Sequence, residues 1–554
     1  MNPSTALARV LVDELARGGV REAVLSPGSR SASLALALNA DVRIRLHVRI
    51  DERSAGFLAL GLAMVSRRPV PVLCTSGSAA ANLHPAVVEA SYAGIPVIVL
   101  TADRPPELRA TGANQAIDQI GLYGGAVRFF ADVGVAEART GAVEYWRSLV
   151  SRALAAAVDP RDSGPVHLNL PLREPLVPDG NDYWLEPLQP RADRPVWTEV
   201  LVDEPRPRPL GDVLGIPAPP RGAVVVGHGA ADPAAARRLA EALGWPLLSE
   251  PTGNARAGQH AVATYPLLLG HPDFAKAMRP DAVVVVGKPG LSRSLLGWLA
   301  AVDRHVVVDP GLRWVDPLRR ADLVVSAVPT AESRPATDWL ARWIAADRAA
   351  RAAVDAVLDD VAEVSEPRLA RDVAAGVAAG AVLLAGSSRP IRDLEAYAAS
   401  REDITIVGNR GASGIDGLVS TAVGTALAQD GPAYAVLGDL AFVHDHNGLV
   451  IGPGEPRPNL TLIVVDNDGG GIFSLLPPSG QEAFERLFGT PHGLDLAAVA
   501  RAAGWECTVV AEAADLAGAL PGPGPRVILA RTERAATAVL HQQLQWAVGA
   551  ALSR

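Results

Sequence analysis

The sequence predicts an α/β protein built from three doubly wound parallel-sheet domains. Short apolar runs recur along the chain, and those of the first third end in Gly, Ser, Thr or Asp. Longer helix-like segments separate them, which is the βαβ rhythm of a sheet buried on both faces. With 554 residues the chain has room for three or four domains at roughly 150 residues each.

Composition narrows the class. Hydrophobic residues make up 49% and charged residues 20%, the profile of a chain that folds throughout rather than one with long disordered tails. The net charge is -9 with no basic block, which argues against non-specific binding to nucleic acid or anionic membranes. Lys276 and Lys288 are the only lysines, so an anionic ligand must be met by arginines placed locally. Cys74 and Cys507 stand far apart in apolar runs, offering neither a disulfide framework nor a zinc cluster, and fit a reducing cytosol. Met1 to Arg9 lacks a signal pattern, and Val373 to Gly386 is too short and glycine-rich to span a bilayer. A cytoplasmic protein without membrane insertion is expected.

Along the chain, strands are predicted at Glu22–Leu25, Val70–Cys74 and Pro96–Leu100, giving a first domain over 1–180. Prolines crowd between Pro175 and Pro209, as in an extended connection. The second domain, 181–345, carries predicted strands Ala223–Val226, Ala282–Val286, His305–Val308 and Leu323–Val325. Its Gly227-His228-Gly229 lacks the third glycine of a dinucleotide fingerprint, since Asp232 stands there, and reads as a tight strand-to-helix turn. Gly287-Lys288 is followed by Pro289 and has no upstream glycine, so a P-loop is excluded. A helical stretch from Thr337 to Glu363 bridges to the third domain, 346–554, with strands at Val382–Ala385, Thr405–Val407, Tyr434–Leu437 and Leu462–Val465.

The pattern that carries chemistry is Gly438-Asp439-Leu440 followed by Asp466-Asn467-Asp468-Gly469-Gly470-Gly471. Asp439 and Asn467 each end an apolar strand, and the interval holds a helix, about Phe442 to Ile451, and a proline-rich loop. A right-handed βαβ unit would deliver both residues to one carboxyl edge. The Asp439 carboxylate, the Asn467 amide and the Gly469 carbonyl would then offer three hard oxygen ligands, leaving positions for a diphosphate and water around Mg²⁺, with Mn²⁺ as an alternative ion. The glycines would let backbone approach the phosphates. Turn residues at strand ends are the competing explanation. His444-Asp445-His446 reads as ordinary helix positions, because residues two apart on a helix face different ways.

At these residues the chain resembles the thiamine-diphosphate-dependent enzymes, whose last domain holds Mg²⁺ and diphosphate through a Gly-Asp…Asn pattern. The resemblance implies a glutamate in the first domain against N1′ of the aminopyrimidine, and Glu52, within Arg49-Ile50-Asp51-Glu52-Arg53-Ser54-Ala55-Gly56, occupies that position as the catalytic residue. Within the family it is most similar to the synthases that make 2-succinyl-5-enolpyruvyl-6-hydroxy-3-cyclohexene-1-carboxylate for menaquinone biosynthesis, over essentially the whole chain. The runs that carry this are Ser26-Pro27-Gly28-Ser29-Arg30-Ser31, Thr75-Ser76-Gly77-Ser78, Thr101-Ala102-Asp103-Arg104-Pro105, Gly112-Ala113-Asn114-Gln115 and Asn409 to Gly417.

The resemblance implies decarboxylation of 2-oxoglutarate and conjugate addition of the succinyl carbanion equivalent to isochorismate, two dicarboxylates that suit planar bidentate arginines. It places Ser388, Arg392 and Arg410 on the 2-oxoglutarate part, and Ser29, Arg30, Arg104, Asn114, Gln115 and Arg293 on isochorismate or the joined product. Arg30, Arg104, Arg392 and Arg410 are expected at strand ends or adjacent loops. It also places Gly438, Leu440, Gly469, Gly470, Gly471 and Ser388 against the cofactor, with Ile415, Ile472, Phe473 and Leu476 as apolar wall and support. The sequence departs from relatives at Arg293-Ser294, where some carry Lys-Arg, and at Asp466-Asn467-Asp468, where many carry asparagines, so Asp468 competes with Asn467 as ligand. Glu52 and Asp439 are expected to reach one cofactor from different subunits of a homodimer or a dimer of dimers. Another thiamine-diphosphate carboligase or decarboxylase, such as an acetohydroxyacid synthase-like protein, is the alternative enzyme; a non-catalytic regulator would not need Glu52, Asp439 and Asn467 together.

Overall fold

Three parallel sheets organise the described residues of the computed structural model, which covers every residue except Glu204, Leu312, Arg313, Ala336 and Arg554. The first sheet contains β1 (Glu22–Leu25), β2 (Arg45–Val48), β3 (Val70–Cys74), β4 (Val97–Asp103), β5 (Phe129–Asp132) and β6 (Val166–Pro171), in the order 2-1-3-4-6-5. The second contains β7 (Gly222–Val226), β8 (Leu247–Ser249), β9 (Ala282–Val286), β10 (His305–Val308) and β11 (Leu323–Val325), in the order 11-10-9-7-8. The third contains β12 (Val382–Ala385), β13 (Thr405–Val407), β14 (Ala433–Gly438), β15 (Leu460–Asp466), β16 (Glu506–Val510) and β17 (Arg526–Arg531), in the order 13-12-14-15-17-16. First and third sheets therefore share one strand order. The central strands are largely apolar and buried on both faces, as parallel sheets covered by helices require.

The chain forms two compact units. The first comprises residues 1–203, 409–430 and 444–459, the second 204–408, 431–443 and 460–554. In the first unit the helices Pro3–Arg17 and Ala142–Val158 cover the sheet through Leu7, Leu11, Leu15, Trp146 and Val150. The proline-rich segment is tied down rather than loose, because the buried Glu14 carboxylate accepts from Trp197 N at 2.6 Å and from Arg147 Nη1 at 2.6 Å. The helix Glu52–Ser66 crosses the helix Leu418–Leu427 at glycines: a Cβ on Gly61 would lie 2.2 Å from the Thr421 carbonyl oxygen, and one on Gly424 2.4 Å from that of Leu58. Gly417, at the start of the second helix, has φ +66 and would place a Cβ 1.9 Å from the Phe57 ring. Gly417→Ala is expected to destabilise the protein by about 2–4 kcal/mol, from the left-handed backbone and overpacking together, read as a lowered thermal midpoint.

In the second unit, Trp343 of the helix Asp338–Asp359 meets Trp298, Trp339 and Phe274 edge-to-face, and that helix packs beside Arg534–Leu552. Thr337 caps its start through Leu340 N, as the predicted stretch from Thr337 implies. The helix expected at about Phe442 to Ile451 instead runs Asp439–His444, followed by a 3₁₀ turn His446–Leu449. The break falls at Asp445, a residue in the predicted ordinary helix run, whose buried carboxylate accepts from Ser420 N at 2.7 Å and Ser420 Oγ at 3.1 Å. Among the described residues no helix is long and apolar enough to cross a membrane.

Candidate functional site

Two groups of side chains collect at carboxyl edges, one in each unit. In the first unit Glu52 opens its helix directly after β2, half-buried, with Asp51 as N-cap accepting from Arg53 N at 2.8 Å. The strand β3 ends in Cys74, whose buried thiol is pushed up by desolvation and by the charge of Glu52.

Arg104 follows β4 and is buried; its guanidinium donates to Ser76 Oγ at 3.0 Å and to the Asn114 carbonyl at 2.9 Å. Gln115, with φ +58, donates to the Ser76 carbonyl at 3.1 Å and accepts from Ser76 Oγ at 2.9 Å through its own carbonyl. The ends of β3 and β4 and the loop carrying Asn114 and Gln115 thus form one knot. Arg30 donates to the Leu172 carbonyl at 3.0 Å, and its buried Nε has no partner among the described residues. Burial, then the positive charge of Arg104, lower the Arg30 pKa, so a bound anion would relieve two crowded cations. Ser29 is exposed beside Arg30.

Arg410 and Ile415 sit in a loop whose Gly411, Ala412 and Ser413 N–H groups donate to the buried Glu89 carboxylate at 2.6, 2.7 and 3.1 Å. Burial raises the Glu89 pKa, and the three donors and Arg410 oppose that rise.

In the second unit β14 and β15 are parallel neighbours, registered Gly438 to Val465, so Asp439 and Asn467 leave adjacent strands on one edge. Asp439 Oδ2 accepts from Asn467 N at 3.0 Å and Gly469 N at 2.9 Å, and Oδ1 accepts from Leu440 N at 2.6 Å. Burial pushes this carboxyl up, against those three donors and the nearby His492. Asn467 Oδ1 is buried without a hydrogen-bond partner among the described residues, while Nδ2 donates to Glu366 Oε1 at 2.7 Å. Open space surrounds Gly438, where a Cβ would meet nothing within 4 Å. A carboxylate, an unsatisfied amide oxygen and an open backbone edge fit a hard divalent cation carrying a diphosphate.

Several details depart from expectation. Asp468 Oδ1 accepts from His492 N and Gly493 N at 2.9 Å each. The glycine run makes room for protein rather than only for phosphate: a Cβ on Gly469 would lie 2.0 Å from the Gly489 carbonyl oxygen, one on Gly470 2.3 Å from that of Phe488, and one on Gly471 2.6 Å from Asn467 Nδ2. The Gly469 carbonyl accepts from Gly471 N at 2.9 Å, so a cation would use its other lone pair. Ile472 and Phe473 lie half-buried in the 3₁₀ turn Gly471–Leu475, and Phe473 packs against Phe488 at 5.7 Å. No sequence motif marks His492, yet its Nε2 stands 3.6 Å from Asp439 Oδ2 and 4.0 Å from Asp466 Oδ1. Beside this group an open cleft of about 710 Å³ is lined by Asp466, Asn467, Glu485, Arg531 and Arg534.

Ser388, at φ +73, caps the helix Arg389–Tyr397 after β12. Arg392 lies inside that helix, not at a strand end, and donates back to the Ser388 carbonyl at 2.7 Å. Arg293 is exposed at the start of the helix Arg293–Ala300, and its side chain makes no hydrogen bond or ion pair among the described residues. One residue beyond Leu394 on the Arg392 helix, Glu395 is buried and accepts from Tyr265 OH at 2.6 Å. Burial, then the charge of Glu250, push its carboxyl from 4.5 up to about 8. The fold thus favours the protonated acid, and the stability this contributes is full below about pH 4.5 and lost as pH rises through about 8. Thermal midpoints of the wild type should fall from about pH 5 to about pH 8.5 more steeply than those of Glu395→Gln, a difference that calorimetry across this range will measure.

Two family models match the chain: "Thiamine pyrophosphate enzyme, N-terminal TPP binding domain" over residues 5–122 and "Middle domain of thiamine pyrophosphate" over 218–384. A 2-succinyl-5-enolpyruvyl-6-hydroxy-3-cyclohexene-1-carboxylate synthase of Thermobifida fusca is 57% identical over 100% of both chains. Proteins of the same name from Saccharopolyspora erythraea and Rhodococcus erythropolis are 50% and 42% identical, over 100% of both chains and over 98% and 99%. With full-length identity at this level and two matching domains, the chain belongs to the 2-succinyl-5-enolpyruvyl-6-hydroxy-3-cyclohexene-1-carboxylate synthase family of thiamine-diphosphate-dependent enzymes.

Proposed function

We propose that the protein decarboxylates 2-oxoglutarate and adds the resulting succinyl unit to isochorismate, forming 2-succinyl-5-enolpyruvyl-6-hydroxy-3-cyclohexene-1-carboxylate for menaquinone biosynthesis, with thiamine diphosphate and Mg²⁺. The observation that carries the reading is the Asp439–Asn467 pair on neighbouring strands, with a buried amide oxygen that accepts nothing from the described residues. When bound, thiamine diphosphate supplies a carbon nucleophile that takes up the electrons released with CO₂. Asp439, Asn467 and the Gly469 carbonyl hold the cation. Glu52, in the first turn of its helix, would face the pyrimidine ring and would exchange a proton with it at its carboxylate.

Arg30 and Arg104, two crowded guanidinium groups, receive a carboxylate of isochorismate, with Ser29, Asn114 and Gln115 beside them. Arg392, Ser388 and Arg410 receive the 2-oxoglutarate part, and Glu89 fixes the Arg410 loop. Arg293, exposed at the start of its helix, adds a cationic contact to isochorismate or the joined product. Ile415, Ile472 and Phe473 exclude water, which would otherwise protonate the carbanion equivalent and release succinic semialdehyde. The reading makes a homodimer the minimal active form, with Glu52 of one chain serving the Asp439 group of another, and places the enzyme in the cytosol, where its two free cysteines remain reduced.

The test is product analysis after incubation with 2-oxoglutarate, isochorismate, thiamine diphosphate and Mg²⁺. The succinylated cyclohexene acid is expected, and chelation of the metal should abolish both its formation and the rise in thermal midpoint caused by thiamine diphosphate. Failure to consume isochorismate, with succinic semialdehyde as sole product, would overturn the assignment of the acceptor.

A further inference from the structure

We infer that Glu366 is a positioning residue for the cation, holding the Asn467 amide so that its oxygen faces the metal. The inference rests on the proposed metal-dependent reading and extends it to a residue outside the Gly-Asp…Asn pattern.

Glu366 begins the helix Glu366–Gly376, is buried, and lies 101 residues before Asn467 in the chain. No local turn accounts for their meeting. A carboxylate only accepts hydrogen bonds, so its 2.7 Å contact with Asn467 Nδ2 decides which end of that amide is which. The oxygen end is then the one left buried and unpartnered among the described residues. The Asn467 backbone is fixed independently, since its N–H donates to Asp439 Oδ2 at 3.0 Å. With main chain and amide nitrogen both held, the remaining freedom of Oδ1 is small, and ligand preorganisation of this kind is how outer groups raise metal affinity. Gly471 completes the arrangement, because a Cβ there would come within 2.6 Å of Nδ2 and displace it from Glu366.

The charge of Glu366 also has a counterpart. Burial pushes the Glu366 carboxyl up, and Arg389, half-buried at the start of the neighbouring helix, opposes that rise; Arg389 in turn contacts Asp393 and, at 2.7 Å, His541. A buried carboxylate with a guanidinium nearby can remain an acceptor without water.

The experiment titrates Mg²⁺ at fixed thiamine diphosphate and reads the thermal midpoint of the full-length protein, with kcat and KM for 2-oxoglutarate measured at saturating Mg²⁺. Glu366→Ala is expected to raise the Mg²⁺ midpoint about ten-fold or more while saturating metal restores most of kcat. Asn467→Asp should also raise it, although carboxylate is the stronger ligand, because two carboxylates would then face each other. In the isosteric double variant Glu366→Gln/Asn467→Asp the hydrogen bond reverses direction, the side-chain oxygen again faces the ion, and the midpoint should return to within about three-fold of wild type. A role in packing alone predicts no such rescue. If wild type responds to Mg²⁺ but Glu366→Ala stays within about two-fold of it, or the double variant is no better than Asn467→Asp, the positioning role is overturned and the metal-dependent reading stands. If wild type itself shows no Mg²⁺-dependent response, both are overturned.

Discussion

Asp439→Ala is expected to abolish Mg²⁺-dependent uptake of thiamine diphosphate and to lower turnover by roughly 10²–10⁴-fold, since a cation's electrostatic contribution is several kcal/mol and each 1.36 kcal/mol is ten-fold. Two losses combine in this variant. In the proposed site the carboxylate is a cation ligand, and it is also the acceptor that fastens Asn467 N and Gly469 N to the end of β14. Alanine removes the ligand and frees the loop that bears the second one. Asp439→Asn separates the effects, because its amide oxygen can still accept from the two N–H groups while the charge is gone. Cofactor uptake followed by thermal shift, with CO₂ release as the activity readout, should rank wild type above Asp439→Asn and Asp439→Ala last. Uptake by the alanine variant equal to wild type would remove Asp439 from the metal site.

Glu52→Gln should leave cofactor uptake near wild type and reduce turnover by about 10²–10⁴-fold, the span typical of losing a positioned proton-transfer group. Glutamine fills the same space at the helix N-terminus, so Asp51 still caps the helix and packing is retained. The contrast with Asp439→Ala, where binding itself fails, distinguishes proton chemistry from cation binding. The two inactive chains also test the proposed dimer. Mixed after subunit exchange in equal amounts, half of the dimers are hybrid and each has one intact pairing, so about a quarter of wild-type activity should return. No recovery after verified exchange would mean that one chain supplies both groups.

The legible parts of this molecule are those with local causes. Central strands announce themselves: Ala282–Val286 and Val70–Cys74 are uniformly apolar because both faces are covered, and their bounds match the expected ones. The β6 strand is harder to read, since it buries His167 and Asn169 in hydrogen bonds to Thr101 and Asp103 and so lacks an apolar signature. The β16 strand lies at the sheet edge with mostly exposed residues, and nothing in its pattern marks burial. In the same way Asp439, Asn467 and Glu52 lie beside strand ends within recognisable runs, whereas Glu366, Glu89 and His492 do not. Glu89 meets Gly411 across 322 residues, and only the folded chain brings a lone carboxylate to three backbone donors. His492 approaches Asp439 because Asp468 anchors the turn at residues 492–493, a contact that no spacing rule anticipates.

The shared strand order of the first and third sheets makes them structural twins that have specialised. In the proposed chemistry one twin carries the acid and the cations for the acceptor, at the ends of β1, β2 and β4, while the other carries the ion clamp at the ends of β14 and β15. On this reading metal capture and choice of acceptor are separable traits: grafted loops after β1 and β4 would redirect which molecule is joined, with metal capture left intact.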